Sequence, residues 1–200
     1  MQYSNAGPQA RRSGAIRVAT VIAVASTFLP PAASANEVDP QVARGRYLVQ
    51  IAGCNDCHTP LKMGPAGPEP DMDRMLSGHP QSLAMPAPPK LPDGPWLVTA
   101  AATNTAWSGP WGVSFTANLT PDPETGLGRW TLRNFMDTIR SGRHLGRGRP
   151  ILPPMPYPMY KHFTDEDFAA IYAYLRTIPP IRNQVPEPLP PPVVAAASMQ

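Results

Sequence analysis

The stretch AGCNDCHTP, from Ala52 to Pro60, holds both cysteines of this 200-residue chain, with a histidine directly after the second. Two thiols three residues apart and an adjoining imidazole admit three chemistries. C-x-x-C-H is the spacing at which two thiols add across the vinyl groups of a haem while the next side chain reaches the iron. A thioredoxin-like dithiol needs a strand before the pair and a helix opening from it, whereas here a helical pattern ends at the motif. A structural zinc site needs four ligands, usually with a second pair at a distance, and His79, His144 and His162 are scattered singly. The motif therefore predicts one haem c bound covalently through Cys54 and Cys57, with His58 as one axial iron ligand.

The opposite face of the iron decides what such a site does. A methionine thioether there raises the potential and suits electron transfer, and an empty position suits ligand binding or peroxide chemistry. Beyond the first 35 residues the methionines are Met63, Met72, Met75, Met85, Met136, Met155, Met159 and Met199. Met136 belongs to a helical apolar stripe. Met63, Met72, Met75 and Met85 lie in a Pro/Gly-rich region, and Met199 is at the end of the chain. Met155 sits in RPILPPMPYPMY between Pro153, Pro154 and Pro156, rings that remove backbone freedom and present a side chain at low entropic cost. It is the expected sixth ligand. Met159 and then His144 are its rivals, and a gap-filling role is the plain alternative.

Three helices must position these groups. The first is expected from about Pro40 to Gly53, proline suiting a first helical turn. The second runs from about Thr131 to Ser141, where Leu132, Phe135, Met136 and Ile139 share a face and Gly142 stops the run. The third runs from about Asp165 to Thr177, capped by Thr164 and ended by Pro179-Pro180. No alternating strand pattern is evident, so the expected class is all-α. Between the first two helices lies a long loop rich in Pro, Gly and Trp, with Trp96, Trp107, Trp111 and Phe115 as its apolar mass.

The N-terminus has another purpose. Arg11, Arg12 and Arg17 flank an apolar run from Ile16 to Leu29 that is short of the roughly 20 residues of a membrane span. Ala33-Ser34-Ala35 then offers a cleavage site, so residues 1–35 read as a removable signal peptide and the mature chain as periplasmic. Three of the 17 basic residues fall there, which leaves the remainder balanced against 14 acidic ones and gives no cause to expect a nucleic-acid partner. Arg129, Arg133, Arg140, Arg143, Arg147 and Arg149 nevertheless crowd one stretch, fit either to meet an acidic partner or haem carboxylates, or simply to be solvated. Proline numbers 29, far above the average of about 5%, so a covalently held apolar disc would supply core that such a chain lacks. Domain boundaries are expected at 36–182 for the haem domain and 183–200 for a proline-rich disordered tail.

The motifs resemble those of class I cytochromes c, and more closely those of the cytochrome subunits of periplasmic alcohol, aldehyde and gluconate dehydrogenases. That family shows GCxxCHT, NLTPD…TGIG.W and PxMPYPxY before a last helix, where this chain has GCNDCHTP, ANLTPDPETGLGRW and ILPPMPYPMY. The resemblance covers Arg44–Pro60 and Gly109–Pro180. It implies a cytochrome c fold of about three main helices around one haem, thioethers at Cys54 and Cys57, and axial ligation by His58 and Met155. It also implies that the Gly45/Tyr47 face of the first helix crosses the third near Tyr172 and Leu175. Those subunits commonly string several haem units together with a membrane anchor, whereas this sequence has one C-x-x-C-H and no anchor. The expected function is a single-haem carrier passing one electron between a dehydrogenase and an oxidase or another cytochrome, not an enzyme in itself. The alternatives are a haem enzyme or ligand sensor, with a displaceable Met155, and a permanent subunit of a dehydrogenase complex.

Overall fold

Asp39 begins the ordered chain by accepting a hydrogen bond from the Gln41 amide at 2.8 Å, and Pro40 fills the first helical position. In the computed structural model, which describes residues 39–91 and 94–191, this first helix, α1, spans Pro40–Ile51. Gly53 then takes a left-handed conformation (φ +67°), open to glycine at little cost, and the chain restarts as a short helix α2, Cys54–His58. The motif thus sits on its own turn at the end of α1.

The two other long helices follow their sequence signals closely. Helix α3, Leu132–Ser141, starts with a capping box between Thr131 and Asn134 and ends at Gly142 (φ +66°). Helix α5, Asp165–Leu175, is capped by the Thr164 hydroxyl and carries three acids in its first turn, where they complement the helix dipole. A four-residue helix α4, Tyr157–Tyr160, precedes it. Leu48 and Val49 of α1, Phe135, Met136 and Ile139 of α3, and Phe168, Ile171 and Leu175 of α5 form the buried core. Helices α1 and α5 cross at Gly45, where an added Cβ would lie 1.9 Å from the Ala170 carbonyl oxygen and 2.8 Å from Tyr174 Cβ. The crossing therefore centres on Ala170 and Tyr174, while Tyr47 is half exposed beneath Arg44.

The all-α expectation is not met. Among the described residues there are five helices and two antiparallel sheets, a mixed α/β architecture. Strands β1 (Leu61–Gly64) and β2 (Gly67–Pro70) form one hairpin. Strands β3 (Thr99–Ala100), β4 (Ala106–Gly109) and β5 (Gly112–Phe115) form the other sheet, in the order β3-β4-β5. These strands are two to four residues long, too short to display a period of two, and glycine and proline occupy several of their positions. Both hairpins are closed by the same turn, Gly-Pro-x-Gly, at Gly64–Gly67 and Gly109–Gly112.

Beyond α5 the chain does not leave the fold at residue 182. Asn183 is fully buried. Its Nδ2 donates to Ser77 O (2.7 Å) and His79 O (2.9 Å), and its Oδ1 accepts from Gln81 N (2.9 Å) and Arg74 Nη2 (3.2 Å). Leu189 then pairs with Val113 through two backbone hydrogen bonds of 2.9 Å. The described fold continues through this run; residues 192–200 and the expected signal peptide lie outside the described residues.

His79 is also fully buried. Its Nε2 lies 3.1 Å from Leu83 O, an atom that can only accept, so the proton is on Nε2 and Nδ1 accepts from the Thr105 hydroxyl at 2.9 Å. Burial, opposed by the contact with Leu83 O and aided by the Arg74 charge, holds this imidazole below its ordinary value of 6.5. The unfolded chain therefore binds the extra proton first. Stability is full above about pH 6.5 and declines as the pH falls below it towards the depressed folded value. Melting curves between pH 7.5 and 5 should show this decline, and His79→Gln should flatten it; an equally steep decline in the variant would assign it to other groups.

Candidate cofactor cavity

The end of α1, the α2 motif, β4–β5, the loop before α3 and the segment before α4 enclose a cavity of about 440 Å³. Its wall includes Val49, Leu127, Phe135, Ile139, Phe168, Ile171 and Leu175, so its lining is mainly apolar. Cys54, Cys57, His58 and Met155 all line it. The structure thus brings the four residues singled out by sequence to one space.

Each is held there by neighbours. Thr59, fully buried, donates from its hydroxyl to Asn55 Oδ1 (3.0 Å) and accepts from Leu76 N (2.9 Å), while Gly78 N donates to His58 O (2.8 Å). Asn104 Nδ2 donates to Asp56 O at 2.7 Å. These bonds fix the α2 turn from outside. Burial pushes the Cys54 thiol up to about 11, with the backbone hydrogen bond at Cys54 opposing; burial followed by the Asp56 charge raises Cys57 as well. Reactive dithiols have the opposite character, with depressed values that favour thiolate. The free-dithiol reading gains nothing from this environment.

His58 is buried, and its Nδ1 lies 2.7 Å from the Ala117 carbonyl oxygen. A carbonyl cannot donate, so the proton is on Nδ1 and the Nε2 lone pair is left available. Burial lowers the His58 value, against the opposing effect of Ala117 O, which keeps the ring neutral near pH 7. A neutral imidazole with Nδ1 anchored on a carbonyl is the form that ligates metals through Nε2.

The segment carrying Met155 is fastened to β5. The Ser114 hydroxyl donates to Pro153 O at 2.6 Å. Of the two rivals, His144 also lines the cavity, its ring edge-on to Trp130 at 5.2 Å; Met159 is exposed and does not line it. Met136 is in the core, Met63 and Met72 are exposed, and Met199 lies outside the described residues. The arginine stretch is largely matched: Arg133 pairs with Asp137, Arg140 with Asp165 and Arg149 with Glu187.

Trp107 escaped notice in the sequence. It is the cross-strand partner of Ser114, so the two side chains share the face of β4–β5 turned to the Met155 segment. Both line the cavity, and the buried Trp107 Nε1 has no hydrogen-bond partner among the described residues. Trp111 instead donates its indole N–H to Ser114 Oγ at 3.3 Å. No sequence signal separates these two tryptophans; the register of a four-residue strand does.

No protein-family model matches the chain. The fructose dehydrogenase cytochrome subunit of Gluconobacter japonicus is 30% identical over 190 residues, covering 89% of this chain and 32% of that protein. The gluconate 2-dehydrogenase cytochrome c subunit of Pantoea cypripedii is 29% identical over 136 residues, 68% of this chain and 23% of that one. The diheme cytochrome c-type protein of Cereibacter sphaeroides is 34% identical over 140 residues, 70% of this chain and 37% of that one. The chain is a homologue of cytochrome c subunits. It spans well under half the length of each of these relatives. Among the described residues of this cytochrome c homologue, no helix is long and apolar enough to cross a membrane, and no cluster of three or more His, Cys, Asp or Glu side chains could hold a metal ion.

Proposed function

We propose that the chain carries one haem c, bound through Cys54 and Cys57 with His58 and Met155 as axial ligands, and passes single electrons between a dehydrogenase and a downstream acceptor in the bacterial periplasm. The observation that carries this reading is the convergence of those four residues on one apolar cavity, with His58 presented in the metal-binding tautomer. The unpartnered Trp107 N–H fits the same group, since a haem brings carboxylates as well as an apolar ring. When bound, the haem supplies a one-electron couple.

The chain's own residues set the conditions for that couple. The apolar wall excludes water, and two strong-field ligands fixed by Ala117 O and Ser114 demand little rearrangement on electron transfer. A thioether opposite an imidazole favours the reduced state. Partner identity follows the relatives, which are named as subunits of dehydrogenases, and this also favours a standing place in such a complex. Export through a leader ending at Ala35 accounts for the reading of residues 1–35 and for haem attachment outside the cytoplasm.

Carrier and ligand-binding roles separate in one optical experiment. The purified protein, reduced at neutral pH, should leave its spectrum unchanged under carbon monoxide, because Met155 occupies the sixth position. Rapid, complete formation of a carbonyl adduct would assign the chain to the enzymes or sensors.

A further inference from the structure

Residues 183–189 form a run pinned at both ends, with Gln184–Pro188 lining the cavity between the pins. The first pin is Asn183. Besides its bonds to Ser77, His79, Gln81 and Arg74, its amide donates to Thr125 Oγ1 at 2.9 Å. Asn118 Nδ2 reaches across to Ile181 O at 2.8 Å and to Thr125 Oγ1 at 3.2 Å. Asn118 follows Ala117, whose carbonyl orients His58. The first pin therefore grips the segment that supports one axial ligand.

The second pin is Leu189. Its N–H donates to Val113 O, and Val113 N–H donates back to Leu189 O. Val113 precedes Ser114, whose hydroxyl holds Pro153 two residues before Met155. The approach is tight: a Cβ on Gly112 would lie 2.0 Å from Leu189 O. Between the pins, Gln184 N donates to Gln81 Oε1 at 2.7 Å, and Glu187 meets Arg149 at 3.2 Å on the exposed side.

We infer that residues 183–189 are a brace that joins the support of His58 to the support of Met155 and so positions the sixth ligand. The inference rests on the haem reading above. Prolines at 186, 188, 190 and 191 suit such a part, since they hold an extended run without needing donors of their own. The exposed Arg149–Glu187 pair adds little, as surface ion pairs do. The backbone pairing at Leu189 carries the load on the Met155 side.

The test uses the full haem-loaded protein and two variants: a stop codon at 189, and Leu189→Pro, which deletes the donor N–H while keeping chain length. The probe is imidazole added to the ferric protein. Both variants should retain covalent haem, lose intensity in the weak red charge-transfer band of thioether-to-iron ligation, and bind imidazole at least tenfold faster than the parent. Glu187→Ala should bind imidazole at the parental rate. Unchanged band intensity and imidazole rates within twofold in Leu189→Pro would overturn the brace. Should the truncated form fail to fold, Leu189→Pro decides alone. Lack of covalent haem in the parent would instead refute the haem reading itself, a different result from haem retained with rates unmoved.

Discussion

Met155→Ala is expected to retain its colour and lose its function as a carrier. Its covalent attachments and His58 remain, so the haem stays in place. The sulfur opposite does not. The red charge-transfer band should vanish, carbon monoxide should bind the reduced protein, and the potential should fall by on the order of 0.1 V or more, since axial ligands tune haem potentials over about 0.8 V. Each effect follows from one contact. Ser114 fastens the Pro153 carbonyl, and the segment it holds brings Met155 to the same cavity as His58. Survival of the band would transfer the role to another group, and His144, which also lines the cavity, would be the first to replace next. Met159 is exposed and would not serve.

The Cys54→Ala, Cys57→Ala double variant should lose far more. A cavity of about 440 Å³, unfilled and charged at about 24 cal/mol per Å³, corresponds to on the order of 10 kcal/mol. That is comparable to the entire stability of an ordinary domain, about 5–15 kcal/mol. Without thioethers the haem can be held only by ligation and apolar contact and is free to leave. The expected outcome is a protein whose colour is extracted by acidified organic solvent, and whose α1, α3 and α5 circular-dichroism signal melts at much lower temperature or is lost. The parent should keep both colour and signal. Equal thermal stability of the variant and parent would mean the cavity is not organised around a bound group.

Long elements and the motif were legible in the sequence because each announces itself locally. Thr131, Gly142 and Thr164 mark helix ends by their own chemistry, and Phe135, Met136 and Ile139 mark a buried face by spacing. The sheets were not legible, because strands of two to four residues containing glycine and proline carry no readable period. Their one signal is the repeated Gly-Pro-x-Gly turn, which becomes meaningful only when a pair of extended segments flanks each copy. Residues 183–189 were hidden for a different reason. A proline-rich run has the same composition whether it is free or pinned, and here the pins are one asparagine side chain and one backbone pair. Likewise, Met155 could be singled out by its flanking prolines, whereas Trp107 depended on which residue of β5 faces it. What positions the site is tertiary and sparse; what performs the proposed chemistry is clustered in five consecutive residues and one proline-bound methionine.

The most direct measurement is the intact mass of the chain secreted from a host able to mature c-type cytochromes, taken after acid extraction and paired with the pyridine haemochrome spectrum. The account predicts the polypeptide plus a single haem, resistant to extraction, with no titratable thiol and a haemochrome typical of two thioethers. A colourless polypeptide of unmodified mass, with Cys54 and Cys57 both free to react, would contradict it.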